Sequence, residues 1–272
     1  MKKEINTKSL ALICLLSVPV AMGMDPNRQL AEAAGAGDTQ CVQALIDFGA
    51  EVDNTTYTPL HEAARYDQEE VIDILLQAGA DVAATPLRGQ ETALHAAASH
   101  GAQRACRSLL EAGANVAATD TQRRTPLFLA AILGYENVAR DLLAAGAECN
   151  TTDMWGRTPL HEAAYRDHEH AACILLQAGA NSDISDDPEL MCGNTPLHLA
   201  IARGHKRMVD TLLAANANPE IADGRDHRTA LQICSLLVRQ LGLHKVQAMA
   251  RALMERGAAL QEAPNNWCFG SR

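Results

Sequence analysis

A leucine that follows Thr-Pro or Thr-Ala recurs at Leu60, Leu94, Leu127, Leu160, Leu197 and Leu231, at spacings of 34, 33, 33, 37 and 34 residues. No other property of this 272-residue chain restricts its fold as strongly. A unit of that length cannot cover its own apolar faces, so it has to stack on copies of itself. The segment from Arg157 to Ala180 shows what one unit is. Thr158 can cap a helix with its hydroxyl, and Pro159 suits the first helical position, where its missing N–H would have had no partner. Leu175 and Leu176 fall on the buried side of a second helix, and Gly179 supplies the left-handed residue that stops it. The predicted unit is helix, turn, helix, loop.

The recurrent Thr-Pro-Leu-His at Thr58–His61, Thr158–His161 and Thr195–His198, with Leu-Leu-x-x-Gly-Ala ending at Ala80, Ala114, Ala147 and Ala180, closely resembles the ankyrin repeat family over residues 28 to 260. The resemblance implies an all-α solenoid of stacked helix-turn-helix units with short β-turn or hairpin loops. Roughly seven units are expected, over residues 27–53, 54–86, 87–119, 120–152, 153–185, 190–223 and 224–260. The first lacks the Thr-Pro-Leu-His motif and the last reads Thr229-Ala230-Leu231-Gln232, as terminal units with one uncovered face would. The last unit is expected to have a longer first helix. Asp186 to Cys192 lengthens one loop and accounts for the spacing of 37. A 3% aromatic and 47% apolar composition suits packing by Ala and Leu. The tail 263–272 has no periodicity.

Residues 1–23 read as a leader: a basic start through Lys8, an apolar run from Ser9 to Val20 too short to span a bilayer, then Ala21 and Gly23 at the positions a peptidase reads. Its style is bacterial. Cleavage after Gly23 would leave a domain from 24 to 262 in the periplasm or outside the cell, with no stable membrane insertion. Translation from Met24 would give a cytoplasmic protein. Cleavage takes the net charge from −10 to −12, and so acidic a chain is not expected to bind nucleic acid. The eight cysteines lie far apart without a Cys-x-x-Cys pair, so neither a zinc site nor a redox motif is indicated. Cys41 and Cys106 are expected on apolar helix faces.

His61, His95, His161 and His198 share one position in their units, and a residue that repeats is structural rather than catalytic. The resemblance implies that this histidine ties its loop to the neighbouring unit; Phe128 replaces it once. His168, His170 and Cys173 are the residues on which a rival metal or catalytic reading would rest, but an i, i+2 pair does not share a helix face. No nucleophile motif or phosphate loop is present. The expectation is a non-enzymatic scaffold with no cofactor and no metal, acting as a monomer on a protein partner.

The repeat leaves free the loop tip before each Thr and the end of each first helix, which in the resembled family line a concave face. Here they hold Tyr57, Arg65, Tyr66, Arg88, His100, Arg124, Leu133, Met154, Trp155, Arg157, Tyr165, Arg166, Met191, Arg203 and Arg228. Four of the nine aromatic residues fall in this set, and Arg, Tyr and Trp are the types that dominate protein-binding hot spots. The partner is expected to present an acidic or mixed surface. If the producing cell lives with a eukaryotic host, the same scaffold reads as a secreted host-directed effector.

Overall fold

The computed structural model describes residues 25–257 apart from 57, 87–88, 188, 190 and 238–241. The leader, the tail with Trp267 and Phe269, and the candidates Tyr57 and Arg88 lie outside the described residues. Among the described residues there are fourteen helices in seven successive pairs. They are α1 (Pro26–Ala36) with α2 (Thr39–Asp47), α3 (Pro59–Arg65) with α4 (Glu69–Gln77), α5 (Ala93–His100) with α6 (Gln103–Glu111), and α7 (Pro126–Leu133) with α8 (Glu136–Ala144). The remaining pairs are α9 (Pro159–Arg166) with α10 (Glu169–Gln177), α11 (Pro196–Arg203) with α12 (Lys206–Ala214), and α13 (Ala230–Leu236) with α14 (Leu243–Glu255). None is long and apolar enough to cross a membrane.

Contacts between Cα atoms divide the chain into two units, Met1–Ala130 with Asn137–Glu148, and Ala131–Glu136 with Cys149–Arg272. In the first, α1, α3 and α5 stack in sequence, as do α2, α4 and α6. In the second, α9, α11 and α13 form one layer and α10, α12 and α14 the other. The stacked layers are an all-α arrangement, and among the described residues β-structure is confined to one isolated bridge between Ala222 and Thr229. The recurrent leucines are the floor of the core: Leu94, Leu127 and Leu160 are fully buried, and so are Leu75, Leu109, Leu142 and Leu175 from the second helices. Alanines at 63, 64, 97, 130, 163, 164 and 200 are also wholly buried, which lets neighbouring first helices approach closely. Cys41 and Cys106 sit inside this packing.

Each pair starts and stops for local reasons. Thr195 Oγ1 accepts the backbone N–H of His198 at 3.4 Å, and Thr125 Oγ1 that of Phe128 at 3.3 Å, satisfying amides that have no partner within the helix. Gly179 ends α10 at φ 91°. The recurrent histidine works as the resemblance implied. Thr158 N–H donates to His161 Nδ1 at 3.0 Å, while Nε2 lies 3.0 Å from Asn194 O in the next loop. His61 reaches Glu91 O at 2.8 Å and His95 reaches Arg124 O at 3.1 Å. His198 departs from the pattern, because its Nε2 is buried without a hydrogen bond. Phe128 fills the position as pure packing, 1% exposed.

One expectation is corrected. A longer first helix is expected for the last pair, but α13 spans Ala230–Leu236 and α14, at 13 residues, is the long one; Leu241, at the turn also expected to carry extra residues, lies outside the described residues. Val246, Met249 and Leu253 of this helix are buried, and the helix packs on both α13 and α12.

Candidate protein-binding surface

Four of the loops before the first helices are closed by a buried aspartate that sequence reading missed. Asp120, Asp153, Asp186 and Asp223 are spaced 33, 33 and 37 residues apart and exposed by no more than 7%. Each backbone N–H meets a carbonyl across its loop: Arg124 O at 3.0 Å, Arg157 O at 2.9 Å, Asn194 O at 2.8 Å and Arg228 O at 2.9 Å. Each carboxylate accepts amides of the same loop, as Asp153 does from Trp155 and Arg157, both at 2.9 Å. The loop tips are therefore fixed from beneath. The signal that would have found these residues is the aspartate itself, recurring at the leucine period.

This closure decides which candidate side chains are free. Arg124 is not, since its guanidinium lies 2.6 Å from Asp120. Burial pushes the Asp120 carboxyl up, but the Arg124 bonds outweigh it and hold the group below the usual carboxylate range. Arg157 is also occupied: it is 16% exposed and bonds Glu162 at 2.7 Å, an acid that is itself only 8% exposed. Both arginines hold loops together and leave the set of simple contact residues. Arg166 shares Glu162, at 3.1 Å, but remains 45% exposed. Arg228 pairs with Asp226 at 2.9 Å and Arg65 with Glu62 at 3.2 Å, both on the surface.

The second unit gathers four of its candidates, Arg157, Tyr165, Arg166 and Arg203, into one cluster. The guanidinium carbon of Arg203 lies 4.0 Å from the Tyr165 ring centroid, and that of Arg157 lies 5.7 Å away. Trp155 is half-buried, and its carbonyl accepts Asp187 N–H at 3.0 Å, which draws the lengthened loop over the tip before it. That approach needs Gly156, at φ 74°, because a Cβ there would lie 2.7 Å from the Asp187 nitrogen. Gly156→Ala is expected to cost about 1–2 kcal/mol from the left-handed backbone alone and to detach the loop. Urea unfolding together with Trp155 fluorescence checks it, and an unchanged midpoint would show that the loop does not depend on this contact. Within the loop, Met191 is half-buried. Asp186 Oδ2 lies 3.8 Å from Arg157 Nε, and neither atom has a hydrogen bond. Burial pushes the Asp186 carboxyl up to about 6.

In the first unit the candidates stay apart. Tyr66 is 57% exposed and its ring lies along Gly35, while His100 bonds Ser99 at 3.0 Å at the end of α5. The residues of the rival metal reading do not converge. His168 Nε2 donates to Ile132 O at 3.0 Å, whereas His170 is 81% exposed and faces Glu136 at 3.6 Å. Among the described residues no three His, Cys, Asp or Glu side chains come together as a ligand set.

What these surfaces have in common is exposed apolar area at one place in the repeat. Of six large apolar side chains exposed among the described residues, Tyr66, Leu133 and Leu236 end first helices and Met154 tips a loop. The family model described as ankyrin repeats, in three copies, matches residues 6–86, 84–153 and 160–262. The first match begins inside the stretch read as a leader.

Proposed function

Because this chain belongs to the ankyrin-repeat family, whose members are in general non-enzymatic protein-interaction scaffolds, we propose that it binds a protein partner through the ends of its first helices and the loop tips before them, and that it catalyses nothing. The observation that carries this reading is the position of the exposed apolar side chains. Four of six lie at these ends and tips, although the repeat has other exposed faces on which chance could have put them. Beside them stand aromatic and arginine side chains held on rigid supports, the combination that supplies hot spots at low entropic cost.

Trp155→Ala is expected to weaken capture of the partner from native extract by about 1–2 kcal/mol while shifting stability by less than about 1 kcal/mol. Tyr66→Ala should act in the same direction from the first unit. Equal losses of binding and stability would mark these side chains as packing residues. Arg166 is better tested as Ala than as Glu, since an acid there would face the buried Glu162.

The leader belongs to the same reading: residues 1–23 direct export to the periplasm or beyond, and the protein acts there as a monomer. A mature mass beginning at Met24, in a protein recovered outside the cytoplasm, is the expected result. An intact Met1 on cytoplasmic protein would place its action inside the cell.

A further inference from the structure

Within the second unit the last turns of the first helices form a row. Leu133 ends α7, Tyr165 and Arg166 end α9, Arg203 ends α11 and Leu236 ends α13. The row is spaced by hydrogen bonds from the turns. His168, just before α10, donates to Ile132 O, and His205, just before α12, donates from Nε2 to Tyr165 O at 3.2 Å. A carbonyl can only accept, so each histidine presents an N–H there and ties one helix end to the next pair. Packed helices lie about 8–10 Å apart, so three steps set Leu133 and Leu236 about 25–30 Å from each other.

The chemistry changes along the row. Its two ends are exposed apolar side chains, Leu133 at 42% and Leu236 at 38%. Its middle holds three arginines: Arg157 and Arg166 meet Glu162, Asp186 lies beside Arg157 and Asp167 faces His205, while Arg203 lies on Tyr165. Glu162 is shared by Arg157 and Arg166. Arg203 pairs with no carboxylate among the described residues. It is stacked on the Tyr165 ring, an arrangement that fixes the guanidinium while leaving its in-plane N–H donors for a two-pronged acceptor. On a chain of net charge −10 an uncompensated cation held this way marks a place for an anion.

We propose that this row receives a segment of the partner protein with carboxylate side chains at its centre and apolar side chains at both ends, one carboxylate being taken by Arg203 on Tyr165. An extended segment at about 3.3 Å per residue needs about eight residues to reach from one apolar end to the other. The inference rests on the scaffold reading above and adds to it the chemistry of the partner.

The test is selection of a random 12-residue peptide library displayed on phage against the full chain. The strongest binder is then synthesised together with its Glu/Asp→Gln/Asn analogue. The expected result is a sequence with acids between apolar residues, whose affinity falls at least tenfold in the amide analogue and at least tenfold on Arg203→Glu. A Lys-centred version should regain affinity for Arg203→Glu. Circular dichroism confirms that the variant is folded, and Arg203→Gln replaces it if it is not. Binders without acids, binders indifferent to Arg203, or a library from which nothing is retained would each overturn the inference. None of these outcomes bears on the scaffold reading, which stands or falls on partner capture and its loss with Trp155→Ala.

Discussion

Arg157→Met is expected to destabilise the protein by about 3 kcal/mol at pH 7, the lower end of what removing one partner of a buried ion pair costs. The side chain sits at 16% exposure among Glu162 at 8% and Asp186 at 0%. Methionine replaces its volume but strands Asp186 without a cation and leaves Glu162 with Arg166 alone. The retained Arg166 bond is the reason for choosing the lower end. Part of the loss should be recovered in Arg157→Met with Asp186→Asn, because the stranded charge is then gone. Chemical unfolding of the single and double variants measures this. A loss below about 1 kcal/mol for Arg157→Met would mean that Arg157 behaves as an ordinary surface residue and would return it to the contact set.

The second large effect is on the pH profile. His161 accepts the Thr158 N–H at Nδ1, so that nitrogen carries no proton, and burial holds the ring down to about 4. Unfolded, a histidine takes its proton near 6.5. Stability from this group is therefore complete above about pH 7 and is lost as pH falls from 6.5 towards 4, by about 3 kcal/mol in total. Burial lowers His61, His95 and His198 in the same direction. Asp186 opposes them. Its carboxyl, raised to about 6, takes up its proton in the folded state before the unfolded chain does, and so restores stability between about pH 6 and 4. The restoration is about 2–3 kcal/mol by the same linkage. Asp186→Asn removes it, so this variant is expected to lose about 2–3 kcal/mol more than the natural protein between pH 7 and pH 4. Unfolding in urea at both pH values decides the point, and parallel losses would show that Asp186 titrates as an exposed acid.

Much of this fold could be read from the chain because its determinants are local and repeated. The Thr-Pro step, the leucine period and the Gly-Ala stop each act within a few residues, and six copies of one signal are hard to mistake. The surface was less legible for the opposite reason. Arg124, Arg157, Arg166 and Arg203 look alike as letters, yet Asp120 and Glu162 immobilise the first two, Glu162 half-occupies the third, and only the fourth rests on a ring with no acid beside it among the described residues. Whether an arginine is spent inside the protein depends on which acid lies beneath it. That acid comes from a different part of the repeat, or, for Asp186 and Arg157, from the following one. The loop aspartates were missed although they recur, because a lone acid in a loop has no signature beyond its period. Tyr57 and Arg88 remain sequence-based candidates, as they lie outside the described residues.

The lengthened loop after Asp186 is fastened on both sides, Asp187 N–H to Trp155 O and Cys192 O to Gly224 N–H at 2.7 Å. Beneath it α9, α11 and α13 keep their layer. The protein has thus already accepted surplus chain at this point without passing any distortion down to its framework. An engineer could use the same spot as a socket: a reporter or affinity handle spliced between Asp187 and Cys192 would arrive with both its ends already moored.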